Sequence, residues 1–525
     1  MTSTFSNLLE SLRDCKELAG LYRDLEVVGG GPCIPLIQLA LEEQGGDRFE
    51  RFTTVSLIKE AAWEKLHTGT WKDVPMAWRD AYSMGCLLHS LSSLVSLDEN
   101  VNVAVGESKT PHASSQPPQA DLGDPVAEEC MQEARHPARS SECVAAEQDA
   151  LAAAMRDLDL AAIMGGLRFR PCVDAAIHLV QERYVQLSRQ GKTAAAKHTV
   201  KGQQQAVSMV EVHSSIDAVS ERPRKQRRTV SNGSDHMHDG AAATPLSEHL
   251  NTHPFSEDCW PKDASAHTVL PAGSLQQGKS VKAEELPSLE RFYMDYMCCP
   301  GGGKPCVIIG AMQHWPALTR WQQPEYLKEV AGLRTVPVEL GDHYLQDGWG
   351  QSLMPLGDFI KQHVVLTGAV RGNEGLVEAR RGYLAQHPLF EQIPELARDI
   401  SEPEYCSLGE GEMQSVNAWF GPPATVTPLH HDPHHNLLAQ VVGAKYVRLY
   451  PPSATSCMYP FKDGLTTNSS QVDLDAPDPA RFPGFEGLPF LDTMLSEGQM
   501  LYIPPKWWHY VRSVSISFSV SFWWK

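Results

Sequence analysis

The stretch Thr427-Pro428-Leu429-His430-His431-Asp432-Pro433 sets two imidazoles beside a carboxylate, and a further histidine, His509, closes the segment Ile503-Pro-Pro-Lys-Trp-Trp-His509. On an extended chain, residues two apart share a face, so His430 and Asp432 point one way and His431 the other. With His509 brought alongside, two imidazoles and one carboxylate can occupy one face of an octahedral ion and leave three adjacent positions open. Such a face suits oxidation chemistry at a non-haem Fe(II), where a co-substrate and dioxygen must both reach the metal. Two other readings stand beside it. His431 and His435, four apart, have a zinc-like spacing, although Pro433 between them disfavours the helix that would align them. Chance clustering is the third, because the chain holds 21 His.

Neighbouring residues extend the first reading. Lys445 opens the β-type run Tyr446 to Tyr450, just past the apolar run Leu437 to Val442. A lysine on a barrel strand can anchor the distal carboxylate of a dicarboxylate, whereas at an exposed strand edge it is merely solvated. Asn436 can donate to the same ligand or cap a turn. Gly498, Pro504 and Pro505 bracket the strand before His509 and can fix how its imidazole is presented.

The elements that must position these groups lie in Leu286 to Lys525, which holds eight of the 12 Trp. A helix is predicted from Ser288, with Leu289, Phe292, Tyr293 and Tyr296 on one face. Short β runs follow at Val307–Ile309, Thr335–Val338, Leu437–Val442, Tyr446–Tyr450 and Met500–Ile503. From Ser513 to Trp524, Val514, Ile516, Phe518, Val520 and Phe522 alternate with five serines, which sorts bulk to one face and hydroxyls to the other. Many short strands with Pro and Gly turns predict a sandwich or barrel. A small-residue face leaves room inside a barrel, and parity puts Trp523 with Ser519 and Ser521 on that face, as a pocket wall or as ordinary core. Gly301-Gly-Gly-Lys304 lacks a phosphate-loop frame and reads as a turn. Cys298 and Cys299 read as idle thiols rather than a redox pair.

The rest of the 525 residues divides by composition. Residues 1–190 read as a helical domain: Leu57, Ile58, Ala61, Ala62 and Leu66 recur at helical spacing, as do Ala77, Ala81, Met84, Leu87, Leu88 and Leu91. Trp63, Trp71 and Trp78 are expected to supply core bulk. A disordered insertion is expected at about 101–145, where no Phe, Trp or Tyr occurs. Residues 191–285, with only Phe255 and Trp260 as aromatics, read as a disordered linker. Its basic run Arg222-Pro-Arg224-Lys225-Gln-Arg227-Arg228 has the composition of a nuclear import signal or of a plain solvated charge run. No internal repeat is visible.

Charge and apolar patterning exclude several classes. A net charge of −19 repels phosphates, so no direct nucleic-acid binding is expected, and basic partners are favoured. No stretch is long and apolar enough for a membrane helix. The opening MTSTFSNLLESLRDC carries Glu10 and Asp14 where a secretion signal would be apolar, and reads as an amphipathic helix. The 12 Cys are scattered without a CxxC pair, as expected for a reducing compartment, nucleus or cytoplasm.

The span from about Leu286 to Lys525 resembles the JmjC-domain, Fe(II)- and 2-oxoglutarate-dependent oxygenases, and within them the lysine-specific demethylase 8 group, also described as arginyl hydroxylases. The resemblance rests on Gly382-Tyr-Leu-Ala-Gln-His387, Glu404-Tyr-Cys-Ser-Leu-Gly409, Asn417-Ala-Trp-Phe-Gly421, Pro428-Leu-His-His-Asp-Pro433, Gly443-Ala-Lys-Tyr-Val-Arg-Leu-Tyr450, Ile503-Pro-Pro-Lys-Trp-Trp-His-Tyr510 and Ser519-Val-Ser-Phe-Trp-Trp524. Trp63-Glu-Lys-Leu-His67 and Trp78-Arg-Asp-Ala-Tyr-Ser83 resemble the helical domain of the same proteins. The insertion and the long linker depart from a compact version of that pattern.

The resemblance implies a double-stranded β-helix (jelly-roll) catalytic domain, mainly β, at 286–525, joined by the disordered linker to the N-terminal α-helical domain. It implies His430, Asp432 and His509 as catalytic iron ligands, and Tyr383, Thr427, Asn436 and Lys445 as the residues that hold 2-oxoglutarate. Glu339, Tyr344 and Trp419, with Trp523, would line the substrate pocket. Fe(II), 2-oxoglutarate and dioxygen are the implied cofactor and co-substrates. A pocket with Glu339 and Trp419 suits a guanidinium by ion pairing and stacking. Arginyl C-hydroxylation of a basic protein (a histone tail, a ribosomal or a chromatin-associated protein) is therefore the first expectation. Histone N-methyl-lysine demethylation by the same chemistry is the alternative. A catalytically silent scaffold is a third reading, disfavoured by the intact triad and Lys445; a zinc hydrolase is a remote fourth.

Overall fold

This computed structural model describes residues 4–42, 48–68, 73–107, 141–189, 259–260, 269–276, 280–346, 348–365, 381–464 and 466–525. Met1–Tyr184 and Asp258–Lys525 form one compact unit, and Val185–Glu257 a second.

The N-terminal helices include α1 (Thr4–Arg13), α2 (Glu17–Val27), α3 (Cys33–Glu42), α4 (Arg48–Leu66), α5 (Met76–Glu107) and α6 (Ser141–Met164), and residues 170–189 are helical as well. Pro75 ends the gap before α5. The apolar stripe of α4 buries Val55, Ile58, Ala62 and Leu66 against Ala81, Met84, Leu87, Leu88 and Leu91 of α5, with Leu151, Met155 and Leu158 of α6 buried in the same layer. Gly85 permits the α4–α5 approach, since a Cβ there would stand 3.1 Å from the Lys59 backbone. Two expectations fail in detail. Leu57, placed in the core by spacing, and Trp63, expected there for its bulk, are exposed at 48% and 41%. Each lies at the solvent edge of a stripe whose centre is Ile58 and Ala62. Trp78 is buried as expected, and Trp71 lies outside the described residues. The expected insertion is narrower than composition suggested, because α5 runs to Glu107 and α6 begins at Ser141.

The C-terminal part is two facing sheets. The larger follows the order β1-β2-β11-β8-β13-β6-β5-β3-β4 and the smaller β10-β9-β12-β7. The strands are β1 (Ala283–Glu285), β2 (Cys306–Ile309), β3 (Thr335–Leu340), β4 (Gly350–Pro355), β5 (Gly382–His387), β6 (Met413–Gly421), β7 (Val426–His430), β8 (His435–Val442), β9 (Lys445–Tyr450), β10 (Leu491–Leu495), β11 (Gln499–Ile503), β12 (Trp508–Ser513) and β13 (Ser517–Trp524). Ser288 caps the short helix Leu289–Phe292 by accepting the Arg291 N–H, and Phe292 and Tyr296 face the core while Leu289 and Tyr293 do not.

The single long strand expected over Ser513–Trp524 is two. The chain breaks after Ser513, where Val514 N–H donates to the Ala444 carbonyl and the Ser515 hydroxyl takes the Ala444 N–H at 2.9 Å. Gly443 makes that corner possible: its φ is +70°, and a Cβ there would lie 1.9 Å from the Ile516 carbonyl oxygen. Within β13 the alternation holds, with Phe518, Val520 and Phe522 in the core and Ser519 and Ser521 buried on the opposite face.

The expected linker is ordered over part of its C-terminal end. Trp260 is buried, its indole N–H donates to the Trp321 carbonyl at 2.8 Å, and its ring stands edge-on to Phe420. Val281 is buried, and β1 pairs in parallel with β2. A sparse composition hid this because one tryptophan and one short edge strand suffice to dock the segment. The basic run 222–228 lies outside the described residues.

The helical and β parts meet at a buried carboxylate, and also where Gln181 Nε2 donates to the Glu329 and Val330 carbonyls at 2.9 Å. Asp159 of α6 accepts from Arg334 Nε at 2.9 Å and Nη2 at 2.7 Å, from the Thr335 N–H at 2.6 Å, and from Gln392 Nε2 at 3.1 Å. Gln392 continues the network to His387 and to the Thr335 carbonyl. Removing one partner of a fully buried pair strands the other charge. Asp159→Ala is expected to lower unfolding stability by about 3–5 kcal/mol, read as a lower urea midpoint at unchanged slope; a surface-sized loss would mean this contact does not hold the two parts together.

Candidate active site

The site forms where β7 and β12 pair antiparallel, with His509 directly opposite His430. Their rings lie 4.1 Å apart, centroid to centroid. Asp432 follows the end of β7, its backbone carbonyl held by the Lys506 N–H at 2.7 Å. The candidate ligand atoms of His430, Asp432 and His509 all lie within 4.8 Å of one another, and all three residues are buried. Asp432 Oδ2 stands 4.0 Å from His430 Nε2 and 3.6 Å from His509 Nε2.

Backbone carbonyls set the tautomers. His430 Nδ1 lies 2.7 Å from the Pro428 carbonyl oxygen, and His509 Nδ1 lies 3.0 Å from that of Trp507. A carbonyl can only accept, so each Nδ1 carries the proton and each Nε2 lone pair is turned toward Asp432. Burial pushes the His509 pKa down to about 4, which keeps its ring neutral and ready to ligate. Asp432 Oδ2 and Asn436 Oδ1 are buried without a hydrogen-bond partner. Buried acceptors are normally satisfied, so their orphaning next to two free imidazole nitrogens fits a cation and a donor-bearing ligand.

The zinc spacing does not converge. His431 turns away, edge-on to Trp508, with its backbone clamped by Asn468 on both sides. His435 pairs its Nδ1 with the Tyr502 hydroxyl at 2.7 Å and stacks on Trp524.

Tyr383, Thr427, Asn436 and Lys445 line the same pocket as the His–Asp–His cluster. Lys445 Nζ donates to the Tyr383 hydroxyl at 2.9 Å and has no salt bridge among the described residues. Its complete burial drives its pKa down to about 7. A buried ammonium without a counter-charge is costly, and a carboxylate arriving from outside would relieve it. Burial likewise raises the Tyr383 pKa well above the ordinary phenol range, so it stays a hydroxyl.

Trp419 and Trp523 also line the pocket. The Trp419 indole N–H donates to Ser521 Oγ at 2.9 Å, which fixes its ring, whereas Trp523 Nε1 is buried and unpartnered. Glu339 and Tyr344 are not among the lining residues. Glu339 sits opposite Tyr383 across the β3–β5 pair, takes the Trp349 indole N–H at 3.2 Å, and has its pKa raised by burial. The Tyr344 hydroxyl lies 3.0 Å from Ser469 Oγ, beside the backbone of His430. Three lining residues were not picked out from the sequence, Leu438, Ile503 and Val511, while Ser521 lies on the interior face that parity gave it. Leu438 and Val511 sit two positions from Asn436 and His509, so strand parity alone would have found them.

Residues 291–525 match the family described as a cupin-like domain, and residues 40–104 match the one described as KDM8-like, N-terminal ARM repeats. The chain is 36% identical to lysine-specific demethylase JMJ30 of Arabidopsis thaliana, over 92% of this chain and 91% of that protein. It is 33% identical to lysine-specific demethylase 8 of Xenopus tropicalis, over 89% of this chain and 87% of that one. It is also 29% identical to the human bifunctional peptidase and (3S)-lysyl hydroxylase JMJD7, over 45% of this chain and 81% of that protein.

Two outcomes follow from this geometry. Asp432→Ala removes the carboxylate between the two imidazoles and is expected to abolish stoichiometric binding of Fe(II) or Mn(II) in anaerobic calorimetry, without loss of fold. For Lys445, the low pKa of the free site means that at pH 8 the amine is mostly neutral and a dicarboxylate must recruit a proton to bind. Binding of 2-oxoglutarate is therefore expected to take up a proton and to weaken as pH rises from about 7 to about 9. Titrations in buffers of different ionisation enthalpy read the proton, and Lys445→Met should erase both effects.

Proposed function

Because the chain belongs to the lysine-specific demethylase 8 group of JmjC-domain, 2-oxoglutarate-dependent oxygenases, we propose that it oxidises side chains of a basic chromatin protein, with N-methyl-lysine of a histone as first target. The residues alone put arginyl hydroxylation first. Relatives named for lysine demethylation, at 33–36% identity over 89–92% of the chain, move methyl-lysine ahead of it.

In this reading His430, Asp432 and His509 hold Fe(II). Lys445, with Tyr383, Thr427 and Asn436, holds 2-oxoglutarate, whose distal carboxylate meets the buried ammonium. Fe(II) with 2-oxoglutarate and dioxygen supplies the oxidising equivalents that insert one oxygen atom into a substrate C–H bond, with succinate and carbon dioxide as co-products. The protein contributes ligand geometry, two imidazoles oriented by backbone carbonyls and a buried pocket rather than acid–base chemistry. Trp419, its ring fixed by Ser521, and Trp523, with its free indole N–H, flank the position of the target carbon. Hydroxylation of an N-methyl carbon gives a hemiaminal that releases formaldehyde and leaves the amine one methyl shorter.

The observation that carries the reading is the convergence of a His–Asp–His cluster and an unpaired buried lysine in one pocket. Arginyl hydroxylation stays as a second reading because the Trp419 face in the pocket suits a guanidinium. The acidic chain favours basic targets in either case. Nuclear action follows from a histone target and from the basic run Arg222–Arg228, and a cytoplasmic pool is compatible with a ribosomal one.

Mass spectrometry of methyl-lysine and arginine peptides, incubated with enzyme, Fe(II), 2-oxoglutarate and oxygen beside an Asp432→Ala control, separates the readings. Loss of a methyl with formaldehyde release is expected. Gain of one oxygen on arginine would install the second reading, and absence of both products with no succinate formed would sink the two together.

A further inference from the structure

The helical region carries a second cleft, of about 280 Å³, lined chiefly by Ser56, Lys59, Glu60 and Trp63 of α4 and by Tyr82 and His89 of α5. No step of the reaction above uses it. Trp63 is the only exposed tryptophan among the described residues. Its ring is held in place by His67, whose ring packs on it at 3.9 Å in a tilted contact with Nδ1 on the Trp63 carbonyl, and it stands 5.6 Å from the Tyr82 ring. At the far end Phe52, 46% exposed, packs on His89 at 4.4 Å. Phe52, Ser56, Glu60 and Trp63 recur at helical spacing, so one face of α4 presents all four.

The polar groups of the cleft are unevenly committed. Asp157 of α6 takes both the Lys59 ammonium and His89 Nδ1, each at 2.5 Å. That spends the Asp157 carboxylate on Lys59 and His89 and offsets the lysine charge. Glu60, one turn before Trp63, has no ion pair among the described residues and is exposed. Arg156, whose charge is felt at Tyr82, is exposed and does not line the cleft. Among the described residues lining the cleft, the charged group without a partner is therefore the Glu60 carboxylate, set in the same cleft as the Trp63 and Tyr82 rings. A cationic group rich in donors satisfies both kinds of surface at once.

We propose that this cleft binds a lysine or arginine side chain of an extended basic protein segment, with the cationic group on Trp63 and Tyr82 and paired to Glu60. The net charge of −19 draws such segments to the chain, and the cleft gives them a specific hold. The proposal does not depend on what the catalytic pocket modifies.

A labelled arginine–glycine repeat peptide, followed by fluorescence anisotropy against the full chain, tests it. Binding is expected to persist in Asp432→Ala, to weaken with salt, and to fall roughly 5- to 10-fold in Trp63→Ala and in Glu60→Gln. Both residues are exposed, so unfolding midpoints and 2-oxoglutarate turnover should stay at their native values in both variants. Unchanged affinity in the two variants would overturn the proposal. So would equal binding of a glutamate–glycine peptide, or loss of binding in Asp432→Ala, which would move the peptide to the catalytic pocket. Failure of the catalytic reading would show as absent product with these affinities intact.

Discussion

The antiparallel pairing of β7 with β12 is the constraint on which the site depends. It sets His509 opposite His430, although the two are far apart in the chain, and the Lys506 N–H on the Asp432 carbonyl locks the third group to the same corner. A one-residue slip in that pairing would send one imidazole to the other face of its strand. The register is protected on both sides: β12 also pairs along its whole length with β9, and the His431 backbone is clamped by Asn468. Both Nδ1 protons are consumed by carbonyls two residues upstream, so tautomer and ring direction come from local backbone geometry rather than from neighbouring side chains. Strand pairing thus produces two oriented nitrogen lone pairs beside one carboxylate.

The pocket is built at a cost in stability. Lys445 is fully buried without a counter-charge, and Asp432 Oδ2, Asn436 Oδ1 and Trp523 Nε1 are buried without partners. In an ordinary core each of these would be destabilising by a kilocalorie or more, roughly. Their signs are complementary to ligands rather than to one another: an orphaned carboxylate oxygen where a cation fits, an orphaned ammonium where an anion fits. Lys445 and Asp432 lie in one pocket without pairing, which keeps both available. The serine face of β13 makes room for this arrangement, and Ser521 spends its hydroxyl on holding the Trp419 ring.

Sequence legibility followed the range of the interaction. The His–Asp–His set was readable because His430 and Asp432 are local in an extended segment, and His509 sits in a distinctive Pro-Pro-Lys-Trp-Trp context. The β13 alternation was readable from period two, but its start was not, since the break at Val514 depends on a corner made by Gly443 and Ala444, some seventy positions upstream. Helical spacing put Leu57 in the core because periodicity marks a stripe and not its edges, and bulk alone put Trp63 there. The helical part reads as aperiodic in sequence and yet matches ARM repeats, because such units share a helix geometry with few fixed residues. Trp260 was lost in a polar stretch for lack of neighbours that would announce its burial.

Asp159 shows why a two-domain picture from composition was too loose. In the sequence, Arg156-Asp157-Leu158-Asp159 is an unremarkable run of charge on a helix. In the fold the two acids part company: Asp157 turns inward to Lys59 and His89, and Asp159 leaves the helical layer to take Arg334, the Thr335 N–H and Gln392. That bond pins the first residue of β3, and the far end of the same strand pairs Glu339 with Tyr383, whose hydroxyl meets Lys445. Among the described residues, none of the helical region lines the catalytic pocket. Its contribution to the chemistry is thus to fix one strand of the larger sheet, and through that strand the wall against which the lysine is held. A contiguous set of bonds of this kind transmits position, and it constitutes coupling only where the strand has a second arrangement to adopt. The bonds of Asp159 hold the start of β3, and the outer face of α4 takes no part in them and is left for a different use.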